Sequence, residues 1–471
     1  MTPTPPRLAS VRASLLTLLV VAAAACGQSS PTASPVAHSS SPAPVATASP
    51  SPEASRPATP APTMAAVDVC PDAASSPAPS TAPAEQPSPD ANDPNAARYE
   101  EIERQVSALR GLTLTTPVKR DVFNREELGK FIQGSFSRDN PEALINGTET
   151  LLKALLLMPQ GDSLRDLYIE MLTSQIAGLY DDSTKSMYVI SDTGEIGPLE
   201  EITYAHEYTH ALQDQAFGLS KLHGDATDQG DRTLARTTLI EGDATLLMFL
   251  WAQQNLPADQ LLAAVGSSDP ASQAVLDRLP LLLRETLMFP YTQGLSLTQG
   301  QFLSAGGYSA VDALFANPPD STEQVLHPEK LNPREAPIEV AFDADLATKL
   351  GAGWCVALQD TLGEFQLSIV LRDAGGLDTA TANAAAAGWG GDRVALVGGP
   401  DGELGVVLDT RWDTAPDASE FATALGPMVA NLEASGRSAS VLTPAPDRVV
   451  LLVSNGADTL GRLANVLGLA S

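Results

Sequence analysis

Cysteine is scarce in this chain of 471 residues, which contains only three. Three cysteines are too few for a disulfide framework, and none stands in a C-x-x-C spacing that would bind a metal. Cys70 and Cys355 can form a single disulfide if the protein matures in an oxidising compartment. Cys26, the third, follows a run of alanines near the N-terminus.

Basic residues are also in short supply. Lysine and arginine together number 28 against 57 aspartates and glutamates, which gives a formal net charge of −29. A surface with this charge repels the phosphates of nucleic acids and the headgroups of anionic lipids. The composition therefore predicts no nucleic-acid partner and a well-solvated surface.

The apolar run LLTLLVVAAAA near the N-terminus is too short for a transmembrane helix. It follows Arg7 and Arg12 and ends at Cys26, as in a bacterial lipoprotein signal, although Ala23 stands where leucine is usual. We expect residues 1–26 to be a lipoprotein-type signal peptide that leaves a lipidated Cys26. The protein would then be exported and tethered to the outer face of the cell membrane. The alternative is an ordinary secretory signal and a secreted protein.

Three further regions differ in composition. Residues 27–97 are rich in Ser, Pro, Ala and Thr and have too few apolar residues to form a core, so we expect a disordered stalk. Residues 98–340 show mainly helical periodicity, with two short strands in GLYDDSTKSMYVIS around a polar turn at 181–186. Later helices are predicted from near Leu199 and over 231–256, 257–265, 270–287 and 308–316.

Residues 341–471 mix both patterns and are predicted to form a smaller α+β domain of unknown role. The predicted strands are FQLSIVLR, RVALVGG, LGVVLDTRW and DRVVLLVS, and the predicted helices are ASEFATALGPMVANLEAS and TLGRLANVLGL. Trp389 and Trp412 are expected to pack within this unit. The glycines follow neither the G-x-G-x-x-G nor the P-loop pattern, which argues against nucleotide binding. The fold class is therefore α+β.

Histidine is nearly as scarce as cysteine, yet two of the five histidines fall in YAHEYTHALQDQ, residues 204–215. His206 and His210 are four positions apart, so both lie on one face of a helix and can bind one Zn²⁺. Glu207 lies beside the first ligand, where it can act as general base towards a metal-bound water. The motif predicts a zinc-dependent hydrolase site.

A catalytic zinc needs a third protein ligand, and Glu241 is the best candidate. It lies 31 residues after His210 in the apolar helix LIEGDATLLMF, where a buried carboxylate is costly unless it is paired or bound to a metal. The small residues Gly242 and Ala244 are expected to let this helix pack closely on the metal helix. The alternatives are His223 as third ligand, or a surface salt bridge from Glu241 to Arg232 or Arg236.

Residues around the metal are also predicted. Asp243 or Asp214 can accept the second ring N–H of a ligating histidine. A donor to the oxyanion is needed for peptide hydrolysis, and His327 and Tyr291 are candidates because each lies beside a proline- or turn-rich break. The alternatives are that Tyr291 is a core aromatic residue and that His327 merely ends a helix.

The H-E-x-x-H followed by a downstream glutamate resembles the gluzincin class of zinc metallopeptidases. The resemblance implies a zincin-like fold for residues 98–340, zinc binding by His206, His210 and Glu241, and Glu207 as catalytic base. With GLYDDSTKSMYVIS, EGDAT and PPDSTEQVLHPEKL included, the sequence is most similar to uncharacterised exported bacterial proteins assigned as metallopeptidases. It departs from the thermolysin type in a longer gap before the glutamate.

The resemblance also implies that KSMYVIS, residues 185–191, is an edge strand that binds substrate backbone, the alternative being a plain structural hairpin. The sequence thus predicts an exported, membrane-tethered zinc metallopeptidase that cleaves a peptide or protein substrate. The alternatives are a zinc-binding extracellular adhesion or scaffold lipoprotein without proteolytic activity, and a degenerate protein without a metal. The oligomeric state is not predicted.

Overall fold

The computed structural model describes the chain in six segments, which are residues 69–70, 94–182, 184–191, 196–224, 228–265 and 270–469. The predicted signal peptide at 1–26 lies outside the described residues, and so does the predicted stalk apart from 69–70 and 94–97. Within the described part of the chain, no helix has the length and apolarity that a membrane crossing requires.

The first elements combine four helices with a small three-stranded sheet. They are α1 (Ala96–Arg110), β1 (Lys119–Phe123), α2 (Arg125–Asp139), α3 (Glu142–Ala154), α4 (Leu164–Gln175), β2 (Gly178–Asp181) and β3 (Ser186–Ile190). The strand order is β1–β3–β2, with β1 parallel and β2 antiparallel to β3. The predicted β2–β3 hairpin is therefore confirmed. Strand β1, KRDVF, was not predicted because its charged residues break the apolar alternation of a half-buried strand.

Helices dominate the centre of the chain. They are α5 (Pro198–Phe217), α6 (Leu219–His223), α7 (Gly230–Asn255), α8 (Ala258–Val265), α9 (Pro270–Arg278), α10 (Leu281–Ala305), α11 (Tyr308–Ala316), α12 (Thr322–Leu326) and a 3₁₀ turn (Pro328–Lys330). Helix α5 starts with Pro198 at its first position, and Glu200 accepts the Gly197 N–H. It ends at Gly218, whose φ of +76° is left-handed.

The predicted helix over 270–287 is wrong in its bounds. Pro280 disfavours helical backbone at Leu279, so the helix breaks there and α10 begins at Leu281. Helix α10 then continues through Pro290 to Ala305, which the sequence did not indicate because an internal proline removes one backbone hydrogen bond. Tyr291 therefore lies inside a long helix and not at a break.

The last part of the chain is an antiparallel sheet with helices. The elements are α13 (Leu346–Leu350), β4 (Cys355–Asp360), α14 (Gly363–Asp373), α15 (Thr379–Ala386), β5 (Trp389–Gly398), β6 (Leu404–Trp412), α16 (Ala415–Ala424), α17 (Gly426–Ala434), β7 (Ser438–Ala445), β8 (Arg448–Ser454) and α18 (Ala457–Val466). The strand order is β4–β5–β6–β8–β7. Trp389 and Trp412 face each other across β5 and β6 and are buried, as predicted. The mixed architecture confirms the predicted α+β class.

The predicted strand FQLSIVLR is wrong, because these residues form helix α14. Leu367, Ile369, Val370 and Leu371 are all buried, so the helix is apolar on several faces and shows no amphipathic period. A short continuous apolar run fits a buried strand and a buried helix equally well.

The largest hydrophobic cluster crosses the boundary predicted near residue 340. It joins residues of α2 and α4, such as Leu128 and Leu172, to strand residues of the last sheet, such as Leu396 and Leu451. Cys70 forms a disulfide with Cys355 at the start of β4, and Val69 packs beside the same cluster. The helical part and the C-terminal sheet therefore share a core.

Candidate metal centre

Helix α5 brings His206, Glu207 and His210 together in the interior of the protein, and all three side chains are fully buried. The two histidine rings are nearly perpendicular, and their Nε2 atoms are 3.0 Å apart. Two imidazole nitrogens this close, on consecutive turns of one helix, point at a common centre as the four-residue spacing predicts.

Helix α7 supplies the third predicted ligand. The Oε2 atom of Glu241 lies 3.2 Å from His206 Nε2 and 3.4 Å from His210 Nε2. Zinc ligands bind at about 2.0–2.2 Å, so neighbouring ligand atoms of a tetrahedral site lie roughly 3.3 Å apart. Two nitrogens and one carboxylate oxygen with this spacing form a group that can hold a metal ion, and zinc fits its chemistry.

The alternatives for the third ligand have different outcomes. Arg232 and Arg236 pair with Asp320 and not with Glu241, so Glu241 is not engaged in the surface salt bridge that was considered. His223 is the last residue of α6, and its side chain lies outside the described part of the structure.

The charges of the three groups depend on one another. Burial raises the pKa of Glu241, but the two histidines outweigh burial and hold that pKa down at about 2. Burial lowers the pKa of His206. For His210 the carboxylate of Glu241 outweighs burial and raises the pKa to about 9. A buried carboxylate between two imidazoles thus favours a positive charge at their centre, which a bound cation would supply in place of a proton.

His210 is oriented by a chain of buried polar residues. Its Nδ1 lies 2.8 Å from Gln213 Oε1, and Gln213 Nε2 donates to Asp243 Oδ2 at 2.8 Å and to the Ile240 carbonyl at 3.0 Å. Because Gln213 uses its NH₂ group on those acceptors, its oxygen receives the His210 Nδ1–H. The lone pair of His210 Nε2 is then directed at the centre.

The predicted outer-shell acceptors are placed differently from expectation. Asp243 does support the site, but it does so through Gln213. Asp214 turns away from the histidines, because it accepts hydrogen bonds from the Tyr180 hydroxyl and the Lys185 ammonium. Sequence reasoning missed Gln213, although its position one helical turn after His210 was a usable signal.

Arg110 completes this chain and was also missed. Its Nε lies 3.0 Å from Asp243 Oδ1, its Nη2 lies 2.7 Å from Asp312, and its guanidinium lies 4.5 Å from the ring centroid of Tyr308. Arg110 is 1% exposed. The sequence did indicate that Arg110 is buried, because it continues the buried face of α1 formed by Tyr99, Ile102 and Val106. A charged residue at such a position needs a partner of opposite charge.

Helices α7 and α10 cross at glycines beside Glu241. A Cβ on Gly242 would lie 2.2 Å from the Gly294 carbonyl oxygen, and Thr298 donates its hydroxyl to the Gly242 carbonyl at 2.9 Å. Helix α7 does pack on the metal helix, as predicted, through contacts such as Gln213 with Asp243, but Gly242 itself faces α10. The same helix carries Tyr291, whose ring centroid lies 6.3 Å from that of His206.

Strand β2 covers Glu207. A Cβ on Gly178 would lie 2.9 Å from Glu207 Cγ and 2.6 Å from Thr203 Cγ2, so only glycine permits this approach. Strand β2 is an edge of the small sheet, whereas β3 is its central strand. The implied role of KSMYVIS as the substrate-binding edge strand is therefore wrong, because both sides of β3 are already paired.

His327 lies apart from the three ligands. It ends α12, is about one third exposed, and its Nε2 lies 2.9 Å from Glu364 of α14. Its helix begins at Thr322, which contacts Asp231 near the start of α7. Asp231 is ten residues before Glu241, about 15 Å along the helix. Of the two predicted oxyanion donors, only Tyr291 lies beside the predicted metal ligands.

Comparisons with known proteins give limited similarity. Residues 356–461 match a family described as "Domain of unknown function (DUF8575)". No curated protein matches the chain. One solved structure, described as "Crystal structure of a putative hydrolase with a novel fold from Chloroflexus aurantiacus", is 19% identical. The match covers 53% of this chain and 93% of the chain of that structure, with a TM-score of 0.34.

Proposed function

We propose that this protein is an exported, membrane-tethered, zinc-dependent metallopeptidase. The proposal rests on the convergence of His206 Nε2, His210 Nε2 and Glu241 Oε2 within 3.4 Å of one another, with Glu207 on the adjoining face of α5. Two imidazoles and one carboxylate leave a fourth zinc position for water, which is the arrangement of a catalytic and not a structural site.

The residues of the chain then have distinct roles. Zinc, if held by His206, His210 and Glu241, would supply Lewis acidity that lowers the pKa of water. Glu207 takes the proton of the attacking water and passes it to the leaving amine. Tyr291 supplies a hydroxyl donor to the oxyanion from the adjacent helix.

Two observations support export. Residues 1–26 have the pattern of a lipoprotein signal, with Cys26 as the lipid-bearing residue. The disulfide between Cys70 and Cys355 is typical of a protein that matures in an oxidising compartment. The net charge of −29 favours a peptide or protein substrate over a nucleic acid.

Glu207→Gln tests the catalytic role. We expect this variant to keep about one zinc per chain, measured by mass spectrometry of the metal, and to lose hydrolysis of an unfolded protein or peptide library by roughly 10²–10⁴-fold. His206→Ala should lose the zinc as well. Glu201→Gln, on the same helix but half-buried and paired with Arg98 of α1, is the matched control and should retain activity. Equal hydrolysis by Glu207→Gln and the parent protein would refute the proposal, and a zinc-loaded protein without hydrolysis would favour the adhesion or scaffold role.

A further inference from the structure

A second candidate site, which shares no residue with the candidate metal centre, lies between the helical part and the C-terminal sheet. It is a cleft of about 500 Å³. Its walls are mainly apolar and come from residues 156–159, which follow α3, and residues 279–281 at the start of α10. A mostly apolar cleft of this size at the boundary between structural units is the usual setting of a small-molecule site.

Arg437 lines this cleft and is a buried cation without a counter-charge. It is 8% exposed and has no carboxylate partner; its terminal nitrogens donate to the Ser435 hydroxyl and, at 2.7 Å, to the Lys153 carbonyl in the last turn of α3, where the partial negative charge of the helix end compensates only part of a full positive charge. Its Nε is buried without a hydrogen-bond partner among the described residues. Burial lowers the pKa of Arg437, and no carboxylate opposes that effect. An ionised group held in this way is costly unless an anion is supplied.

The other buried arginines of the described chain are neutralised. Arg110 contacts Asp243 and Asp312, and Arg393 contacts Asp228. The chain has two acidic residues for every basic one, so a carboxylate partner is easily found. A missing partner at Arg437 is therefore a specific property of this position.

Leu156, in the wall of the same cleft, has an unfavourable backbone. Its φ of +64° lies in the left-handed region, at the position after α3 where glycine is usual. The Leu157 N–H bonds to the Leu152 carbonyl at 2.8 Å, which is the helix-ending pattern that imposes this conformation. Such strain is retained mainly where it serves a function, and here it places an apolar side chain on the cleft.

The remaining charges at the cleft have opposite charges nearby. Arg278 is exposed and pairs with Glu170. Asp373 is exposed, and its carboxylate interacts with the positive charges of Arg372 and Arg284. Arg437 is thus the cation at this cleft that lacks an opposite charge.

We propose that this cleft binds a small amphiphilic carboxylate, whose anionic end neutralises Arg437 and whose apolar tail lies against residues 156–159 and 279–281. The site is separate from the metal centre. Its occupancy therefore does not depend on the proposed peptidase activity.

Titration calorimetry with octanoate tests this site on the full chain in the presence of a chelator. We expect saturable one-to-one binding of octanoate, with octanol and octylammonium at least about tenfold weaker, because hydrogen bonds to charged groups supply a factor of this order. Arg437→Met should weaken octanoate at least about tenfold. Arg278→Met, which removes the paired arginine at the same cleft, should change the affinity by less than about twofold.

Thermal unfolding distinguishes a ligand site from a structural role of Arg437. If Arg437 serves to bind an anionic ligand, the Arg437→Met variant should have a Tm no lower than that of the parent protein when octanoate is absent, because the substitution removes an uncompensated buried charge. Leu156→Gly should preserve the Tm but weaken octanoate several-fold. The proposal is wrong if octanoate shows no saturable binding, if octanol binds equally well, or if Arg437→Met only destabilises the protein. The Glu207→Gln protein should bind octanoate normally, which separates this result from that of the peptidase test.

Discussion

At the scale of single residues, the candidate metal centre depends on groups that do not contact the predicted ligand atoms. His210 is held by Gln213, Gln213 by Asp243, and Asp243 by Arg110. Each of these residues is buried, so each hydrogen bond compensates for the hydrogen bond to water that the side chain loses on burial. The orientation of one imidazole is thereby connected to helix α1, more than ninety residues earlier in the chain.

Gln213→Leu tests this chain of hydrogen bonds. The substitution keeps the size of the side chain but removes the acceptor for His210 Nδ1–H, so we expect zinc affinity to fall by about 10–100-fold in a competition titration with a chelator. Gln215→Leu is the control, because Gln215 binds the backbone of Thr115 and Thr116 at the surface. Unchanged zinc affinity in Gln213→Leu would show that the ring is oriented by packing alone.

The residues of the site were predictable to different degrees. His206, Glu207 and His210 follow from a motif of five residues, and Glu241 follows from a carboxylate inside an apolar helix. Gln213 carried only a weak local signal. Arg110 lies 133 residues from Asp243, and no local pattern can reveal a contact that exists only after α1 and α7 have packed.

At the scale of elements, the crossing of α7 and α10 fixes the distance between Glu241 and Tyr291. The two backbones approach so closely at Gly242 and Gly294 that a Cβ on either glycine would meet backbone atoms of the other helix. Any larger residue must separate the helices. The crossing therefore controls both the third ligand and the candidate oxyanion donor.

Gly294→Ala is the corresponding prediction. Its Cβ would lie 2.3 Å from the Thr238 carbonyl oxygen, so we expect a loss of about 1–3 kcal/mol in the free energy of unfolding, together with weaker zinc binding. Gly300→Ala in the same helix has no atom within 4 Å of the added Cβ and should be neutral or slightly stabilising. Urea denaturation of the two variants makes the comparison. Similar stabilities would mean that the helices can move apart freely.

Elements were predictable where the apolar pattern has one interpretation. The β2–β3 hairpin and helix α7 have clear periods, and the structure contains both. Helix α14 was taken for a strand because it is buried on several sides, and α10 was shortened because Pro290 normally ends a helix. In both cases tertiary packing overrides the local preference.

At the scale of the whole molecule, the C-terminal sheet holds the start of the helix that carries Glu241. Asp360 at the end of β4 accepts the Gly230 N–H at 2.7 Å, and Arg393 contacts Asp228. A Cβ on Gly363 would lie 1.8 Å from Asp231 Oδ1, so the start of α14 also packs directly on α7. The C-terminal part thus supports the start of the helix that carries Glu241, one of the predicted metal ligands.

The acids at this junction predict a pH dependence of stability. Asp392 of β5 accepts the Leu362 and Gly363 N–H groups at the start of α14. Burial raises the pKa of Asp360 and of Asp392 to about 6, against hydrogen bonds that favour the ionised forms. Between about pH 4 and 6 the folded protein then binds protons that the unfolded chain has released. The contribution of these two protonated carboxyls to stability is fully present below the pKa that aspartate has in the unfolded chain, and it is lost as the pH rises through 6, their pKa in the folded protein. We therefore expect the free energy of unfolding to fall between pH 5 and pH 7.

Asp360→Asn isolates one of these groups. Asparagine keeps the acceptor for the Gly230 N–H but does not titrate, so the decline in stability between pH 5 and pH 7 should become shallower by on the order of 1–2 kcal/mol. The control is Asp401→Asn, which changes an exposed carboxylate away from the junction. Denaturant titrations at several pH values provide the measurement, and parallel curves for Asp360→Asn and the parent would contradict the assignment.

The disulfide between Cys70 and Cys355 also determines how the molecule carries mechanical load. A pull on the chain before residue 70 passes through the sulfur bridge into β4, an edge strand of the C-terminal sheet. The polypeptide from residue 71 to residue 354, which includes every proposed ligand of the metal, then lies in a covalently closed loop beside the line of force. If the protein is tethered through Cys26 as proposed, a pull at the anchor therefore reaches the folded part first at this bridge, and not at the helices that carry the predicted metal ligands.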